Sequence, residues 1–123
     1  MKLFLFLGSL SAGLAVIVGA FGAHGLKHKI PAELMAVYQT GVQYHFYHAL
    51  ALMLVGIIGF HMEQTLVYKA SGWLMFVGTM LFSGSLYVLA LSGIKWLGAI
   101  TPIGGLVWIM AWMCLAWALY TQH

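Results

Sequence analysis

Charge is so sparse in this chain that its placement dictates the fold. There are five lysines, two glutamates, no arginine and no aspartate. They leave residues 3–26, 34–62, 70–94 and 96–123 without a Lys, Arg, Asp or Glu. A helix rises about 1.5 Å per residue, so roughly 20 residues cross a hydrocarbon core about 30 Å thick. Each uncharged run is long enough to do so. With 63% hydrophobic and 6% charged residues, against roughly 25% charged in a soluble domain, the expectation is all-α. We expect a polytopic membrane protein, a four-transmembrane-helix bundle with both termini on the same side. Residues 1–123 read as one domain.

The spans are predicted at residues 3–23, from 31 or 41 to 60, 70–92 and 102–120. The first is too long for the roughly 7–15-residue core of a secretory signal and reads as a retained helix. Ser11, Ala15, Gly19 and Ala23 recur every four residues along it, a small-residue stripe that admits a neighbouring backbone. Gly25 suits a helix stop. Pro31 suits the first position of the next helix, with Glu33 in its first turn. A helix from Pro31 to Phe60 exceeds the core, so its start lies at the interface or it bends near Gly41. Thr101 can cap the fourth helix and Pro102 open it. Gly104 and Gly105 leave room there for a neighbour.

Several function classes drop out. Scattered lysines without arginines offer no nucleic-acid face and read as anchors beside lipid headgroups. Cys114, the single cysteine, forms no internal disulfide or Cys-based zinc site and reads as a small buried hydrophobe. Without aspartate there is no Ser-His-Asp triad. Glu33 and Glu63 fall on opposite membrane sides, as solvated charges rather than a carboxylate pair. No phosphate loop or dinucleotide fingerprint occurs.

The polar side chains collect instead at residues 38–52. At 100° per residue, Tyr38, Gly41, His45, His48 and Leu52 share one helix face, while Gln39, Gln43 and Tyr47 form a stripe on the other. In the third span Thr79, Ser83 and Tyr87 repeat at the same spacing. From the second loop, His45 lies about 22 Å up and Tyr87 about 25 Å up, at matching depth. His24 and Thr101 leave their spans on that side too. Polar groups are thus expected to concentrate in one membrane half, with Gly84 and Gly104 as further packing positions. His28, His61 and His123 read as solvated.

Four motifs carry a family resemblance: GAFGAHGL at residues 19–26, YQTGVQYHFYHALA at 38–51, FSGSLYVLAL at 82–91 and GAITPIGG at 98–105. In that order they resemble domain-of-unknown-function family 423, small bacterial inner-membrane proteins related to the eukaryotic transmembrane protein 256 family. The resemblance covers nearly the whole chain. It implies a four-helix protein of the bacterial inner membrane and carries no assigned activity. The matching motif residues are Gly22, His24, Gly25, Gln43, His45, His48, Gly84, Tyr87, Thr101, Pro102 and Gly104.

Three functional readings stand at this point. The leading one is non-catalytic: His45, His48, Ser83 and Tyr87 bond helices together, and Gln39, Gln43 and Tyr47 face another copy. In the second, the cluster binds a ligand. That ligand is a metal on His24, His45 and His48, or a lipid headgroup or quinone at the start of the fourth helix. Nothing in the sequence requires a cofactor. The third is oligomeric transport or proton conduction through titrating histidines. Loops one and three carry Lys27, Lys29 and Lys95, which points them to the cytoplasm.

Overall fold

The computed structural model describes residues 1–122; His123 lies outside them. Four long helices form an up-down bundle: α1 (Lys2–Phe21), α2 (Ala32–Ile58), α3 (Leu66–Ser92) and α4 (Thr101–Tyr120). All four are long and apolar enough to cross a membrane. The four spans place both termini on the same side.

The helix ends show where local chemistry and packing compete. α1 does not stop at Gly25. It continues as a π-helical turn, Gly22–Leu26, and the left-handed conformation that reverses the chain falls on His28, φ 68°. The widened turn accommodates Tyr38. A Cβ on Gly22 would fall on that ring, whose hydroxyl donates to the Val18 carbonyl at 2.6 Å. Pro31 is the residue before α2 rather than its first. α2 then runs as one continuous helix from Ala32 to Ile58, so it starts near the earlier of the two predicted positions.

α3 begins a turn before residue 70. Thr65 accepts a hydrogen bond from the Tyr68 amide at 3.2 Å and caps it. Thr101 does not cap α4. A 3-10 turn, Lys95–Ala99, leads in, Thr101 is already helical, and its hydroxyl meets Ser85 Oγ at 2.6 Å.

Each helix packs on its sequence neighbour. In one end of the bundle Phe4, Leu52, Val55, Tyr68, Met75, Ala111 and Leu115 form the main apolar core. Leu26, Tyr38 and Ala90 form a smaller one at the other end. Between hydrocarbon-embedded helices there is little hydrophobic drive, so close packing and polar bonds must select the arrangement. The bonds recur at every interface. Tyr68 donates to Val55 O at 2.7 Å, Ser83 to Gly41 O at 2.8 Å, and the Trp108 indole to Met75 O at 3.2 Å.

Candidate functional site

All five residues of the predicted α2 face, Tyr38, Gly41, His45, His48 and Leu52, are buried. The two histidines, one turn apart, nonetheless serve different helices. Three residues advance a helix by 300°, so their rings diverge by about 60°.

His45 turns towards α1 and α3. Its Nε2 lies 2.9 Å from Ser11 Oγ and its Nδ1 lies 2.8 Å from the Tyr87 hydroxyl. Three helices are therefore joined through one imidazole. His48 turns towards α4. Its ring stacks on Trp108, centroids 3.6 Å apart and planes 5° from parallel. The Trp112 indole N–H donates to His48 Nε2 at 3.2 Å. An indole nitrogen only donates, so Nε2 accepts. Nδ1 then carries the proton, which it donates to the Tyr44 carbonyl at 2.9 Å. This bond set selects the neutral Nδ1–H tautomer.

Beside His45 the bundle opens. α1 and α3 touch where the Phe4 ring lies over Gly72, a position that a Cβ would close. Away from that contact they separate and leave a groove of about 400 Å³. Leu7, Leu10, Ser11 and Leu14 line it from α1; Phe76, Thr79, Met80, Ser83, Gly84 and Tyr87 line it from α3. His45 of α2 closes its back. Leu10, Leu14 and Met80, at 57%, 51% and 61% exposure, form a rim that faces the surrounding lipid. The Thr79 and Ser83 hydroxyls bond to the carbonyls of Met75 and Gly41. The groove is thus apolar over nearly all of its lining, with the Ser11–His45–Tyr87 line as a narrow polar strip at its back. Its volume falls within the roughly 300–1,000 Å³ of small-molecule sites.

The structure does not bring the predicted polar residues into one cluster. His24 is exposed on the π-helical turn and has no side-chain hydrogen bond among the described residues. It stays apart from His45 and His48. No group of three His, Cys, Asp or Glu side chains arranged to hold a metal occurs among the described residues. Thr101 pairs with Ser85 on the α3–α4 seam, away from both histidines. Polar bonds are not confined to one membrane half either, since Tyr68 and Ser71 are buried at the opposite end of α3. His28 and His61 are exposed, and Cys114 is half-buried with a free thiol.

Among the predicted packing residues, Ala15 is buried and Gly19 lies tight against Val42. Ala23 is exposed. The α1 contact face runs instead towards the N-terminus through Phe4 and Gly8, where a Cβ would meet the Met53 backbone nitrogen at 2.8 Å. Gly104 admits the Phe82 backbone, its nitrogen 2.5 Å from a Cβ built there. Gly105 makes only ordinary contact, and Gly84 faces open space in the groove. Gln39, Gln43 and Tyr47 are exposed as one stripe, with the Gln43 amide donating to the Tyr47 hydroxyl at 2.6 Å.

Trp108 is the residue that pattern reading passed over. It stands between α2, α3 and α4, and a Cβ on Gly78 would fall on its indole. A signal existed: Gly78 and Trp108 sit in facing spans, a space and a large ring to fill it.

Comparison with known proteins adds kinship. The family model described as "Protein of unknown function (DUF423)" matches residues 18–105. The chain is 50% identical to the UPF0382 membrane protein YwdK of Bacillus subtilis, over 94% of each chain. It is 48% identical to the UPF0382 membrane protein SH2409 of Staphylococcus haemolyticus, over 94% of this chain and 93% of that one. No solved structure matches.

Proposed function

Because this chain belongs to the DUF423 family of membrane proteins of unknown function, we propose a role that rests on its fold: a non-catalytic protein that takes a membrane-dissolved amphipathic molecule sideways into the α1–α3 groove. One observation carries the reading. A recess of about 400 Å³ opens between lipid-facing Leu10, Leu14 and Met80 and ends on a line of hydroxyls and imidazole. Nearly all of the lining suits an apolar body, and the narrow Ser11–His45–Tyr87 strip at the back suits a small polar head. Neither glutamate lines the groove, so it holds no carboxylate for acid–base work.

The test is photolabelling of the purified protein in lipid nanodiscs with a palmitoyl-chain diazirine probe. Labelling is expected on Leu10, Leu14 and Met80, and Gly84→Leu should suppress it. A Cβ at this position meets nothing within 4 Å, and the rest of the leucine side chain fills the groove that Gly84 lines. Labelling spread evenly over all four helices, or undiminished in Gly84→Leu, rejects the reading.

A second reading is supported by the ring nitrogens of His45 and His48, all four of which are bonded within the protein. In it the polar groups lock helix packing and the groove holds only lipid chains. It predicts that His45→Ala lowers stability and leaves labelling unchanged. For either reading we assign the protein to the bacterial inner (cytoplasmic) membrane, with loops one and three cytoplasmic, supported by Lys27, Lys29 and Lys95 in those loops.

A further inference from the structure

We infer that the head of the groove's ligand is a carbonyl acceptor held at mid-membrane depth, which makes the ligand class an isoprenoid quinone. This rests on the groove being a binding site and asks what it selects.

Proton bookkeeping at the back wall gives the head chemistry. Ser11 and Tyr87 bring one hydroxyl proton each, and a neutral His45 imidazole brings one N–H. These three protons serve two bonds, Ser11–His45 and His45–Tyr87. If Ser11 donates to Nε2, Nδ1–H donates to the Tyr87 oxygen and the Tyr87 proton is left over. In the opposite tautomer the Ser11 proton is left over. Either way the line ends in a donor on a residue that lines the groove. Ser83's own proton already goes to Gly41 O. A ligand carbonyl supplies an acceptor for the proton left over. The wall carries no formal charge, so it offers an ionic headgroup no counter-ion.

Depth then separates two sources of a carbonyl. His45 stands at the midpoint of Ala32–Ile58, about 20 Å from either end. Glycerolipid ester carbonyls sit at the edge of the hydrocarbon, about 15 Å from its centre. Bringing one to His45 would drag a phosphate into the core, which is costly. The ring of a quinone on an isoprenoid tail has no charged headgroup and reaches that depth freely. The long apolar lining of Leu7, Leu14 and Phe76 matches its tail and ring.

The experiment is competition against the diazirine probe in nanodiscs, using a benzoquinone with an isoprenoid tail, the corresponding isoprenoid hydrocarbon, and diacyl phosphatidylglycerol. The quinone is expected to displace the probe about tenfold more effectively than the hydrocarbon, the ratio one good hydrogen bond gives. Its infrared carbonyl band should lie below the band in alkane. Both effects should vanish in Gly84→Leu, with melting temperature retained. Equal competition by hydrocarbon, or an unshifted carbonyl band, overturns the inference while the groove remains a binding site. Competition by phosphatidylglycerol equal to that of the quinone assigns the carbonyl to a glycerolipid ester and overturns it as well. Absence of any groove-specific labelling overturns the underlying proposal.

Discussion

The His48 imidazole lies face to face with the Trp108 indole, 3.6 Å between centroids and 5° from parallel. A residue of α2 is thereby joined to one of α4, helices that are not consecutive in the chain. The Trp112 N–H holds the same imidazole from the side. The stack works because Gly78 of α3 leaves the volume that the indole fills.

Glycines at two positions of α3 should respond oppositely to one methyl group. Gly78→Ala forces Trp108 to move, and overpacking of this kind costs about 1–3 kcal/mol. Gly84→Ala adds its methyl in open space and removes a flexible residue from mid-helix, which is worth about 0.5–1 kcal/mol in the stabilising direction. Unfolding in mixed micelles by increasing dodecyl sulfate measures both. Equal responses would contradict the geometry.

Gly104 and Gly105 form a similar pair at the start of α4. A Cβ on Gly104 meets the backbone of Phe82, which cannot swing aside, while one on Gly105 meets only the ring at 3.9 Å. Gly104→Ala should lower the melting temperature clearly and Gly105→Ala hardly at all. The reverse order would show that α3 and α4 are further apart than described.

His48 and Trp112 should differ as two halves of one bond. Trp112→Phe removes a donor on the exposed side of α4 and leaves His48 stacked. Its expected cost is the roughly 0.6 kcal/mol average for a bond between membrane helices. His48→Ala removes the stacking partner and strands the indole N–H, for which about 1–3 kcal/mol is expected. Matching losses in the unfolding assay would mean that the stack contributes nothing.

Ser11 and Tyr87 do not touch, yet both bond to His45, and each sets which ring nitrogen holds the proton. The double variant Ser11→Ala with Tyr87→Phe should therefore deviate from the sum of the single variants by at least about 0.5 kcal/mol. Strict additivity would show that the imidazole does not couple them.

Gln39 and Gln43 hold carboxamides on the outer face of α2, beside a recess of about 170 Å³ that includes Gly19 and Ala23. Gln43 lies about 16 Å into the span from Ala32; its amide donates to the Tyr47 hydroxyl, and polar groups of the stripe beyond that bond are costly to leave facing lipid. We propose that a second copy covers this stripe. With Cys114 replaced by alanine, cysteines at position 39 or 43 should crosslink into dimers in native membranes. Purely monomeric product at both positions would rule out this interface.

How much could be read in advance follows from which interactions are local. The buried face of α2 was legible because a helix repeats its angle regardless of context, and Tyr38, Gly41, His45, His48 and Leu52 took that face together. Helix ends were less so. Thr65 capping Tyr68 is local chemistry obscured by the nearby Lys69. The extension of α1 past Gly25 instead reflects Tyr38 of the next helix pressing on Gly22. Spacing alone likewise could not reveal that His24 stays outside the polar network, because sharing a membrane side is a weaker constraint than sharing a contact.

By itself the sequence determined the solvent, the number of spans and the family. Lysines and glutamates are too costly to bury in hydrocarbon, and backbone groups there must pair within a helix, so sparse charge suffices for the first two; the four ordered motifs carry the third. The tertiary structure alone decided that two histidines one turn apart serve different partners, and that α1 and α3 part to form a groove. In a bilayer, apolar surface does not choose between helix partners. The choice falls to the fit of glycines against particular rings and carbonyls, such as Gly78 against Trp108, and that fit exists only once the helices have met.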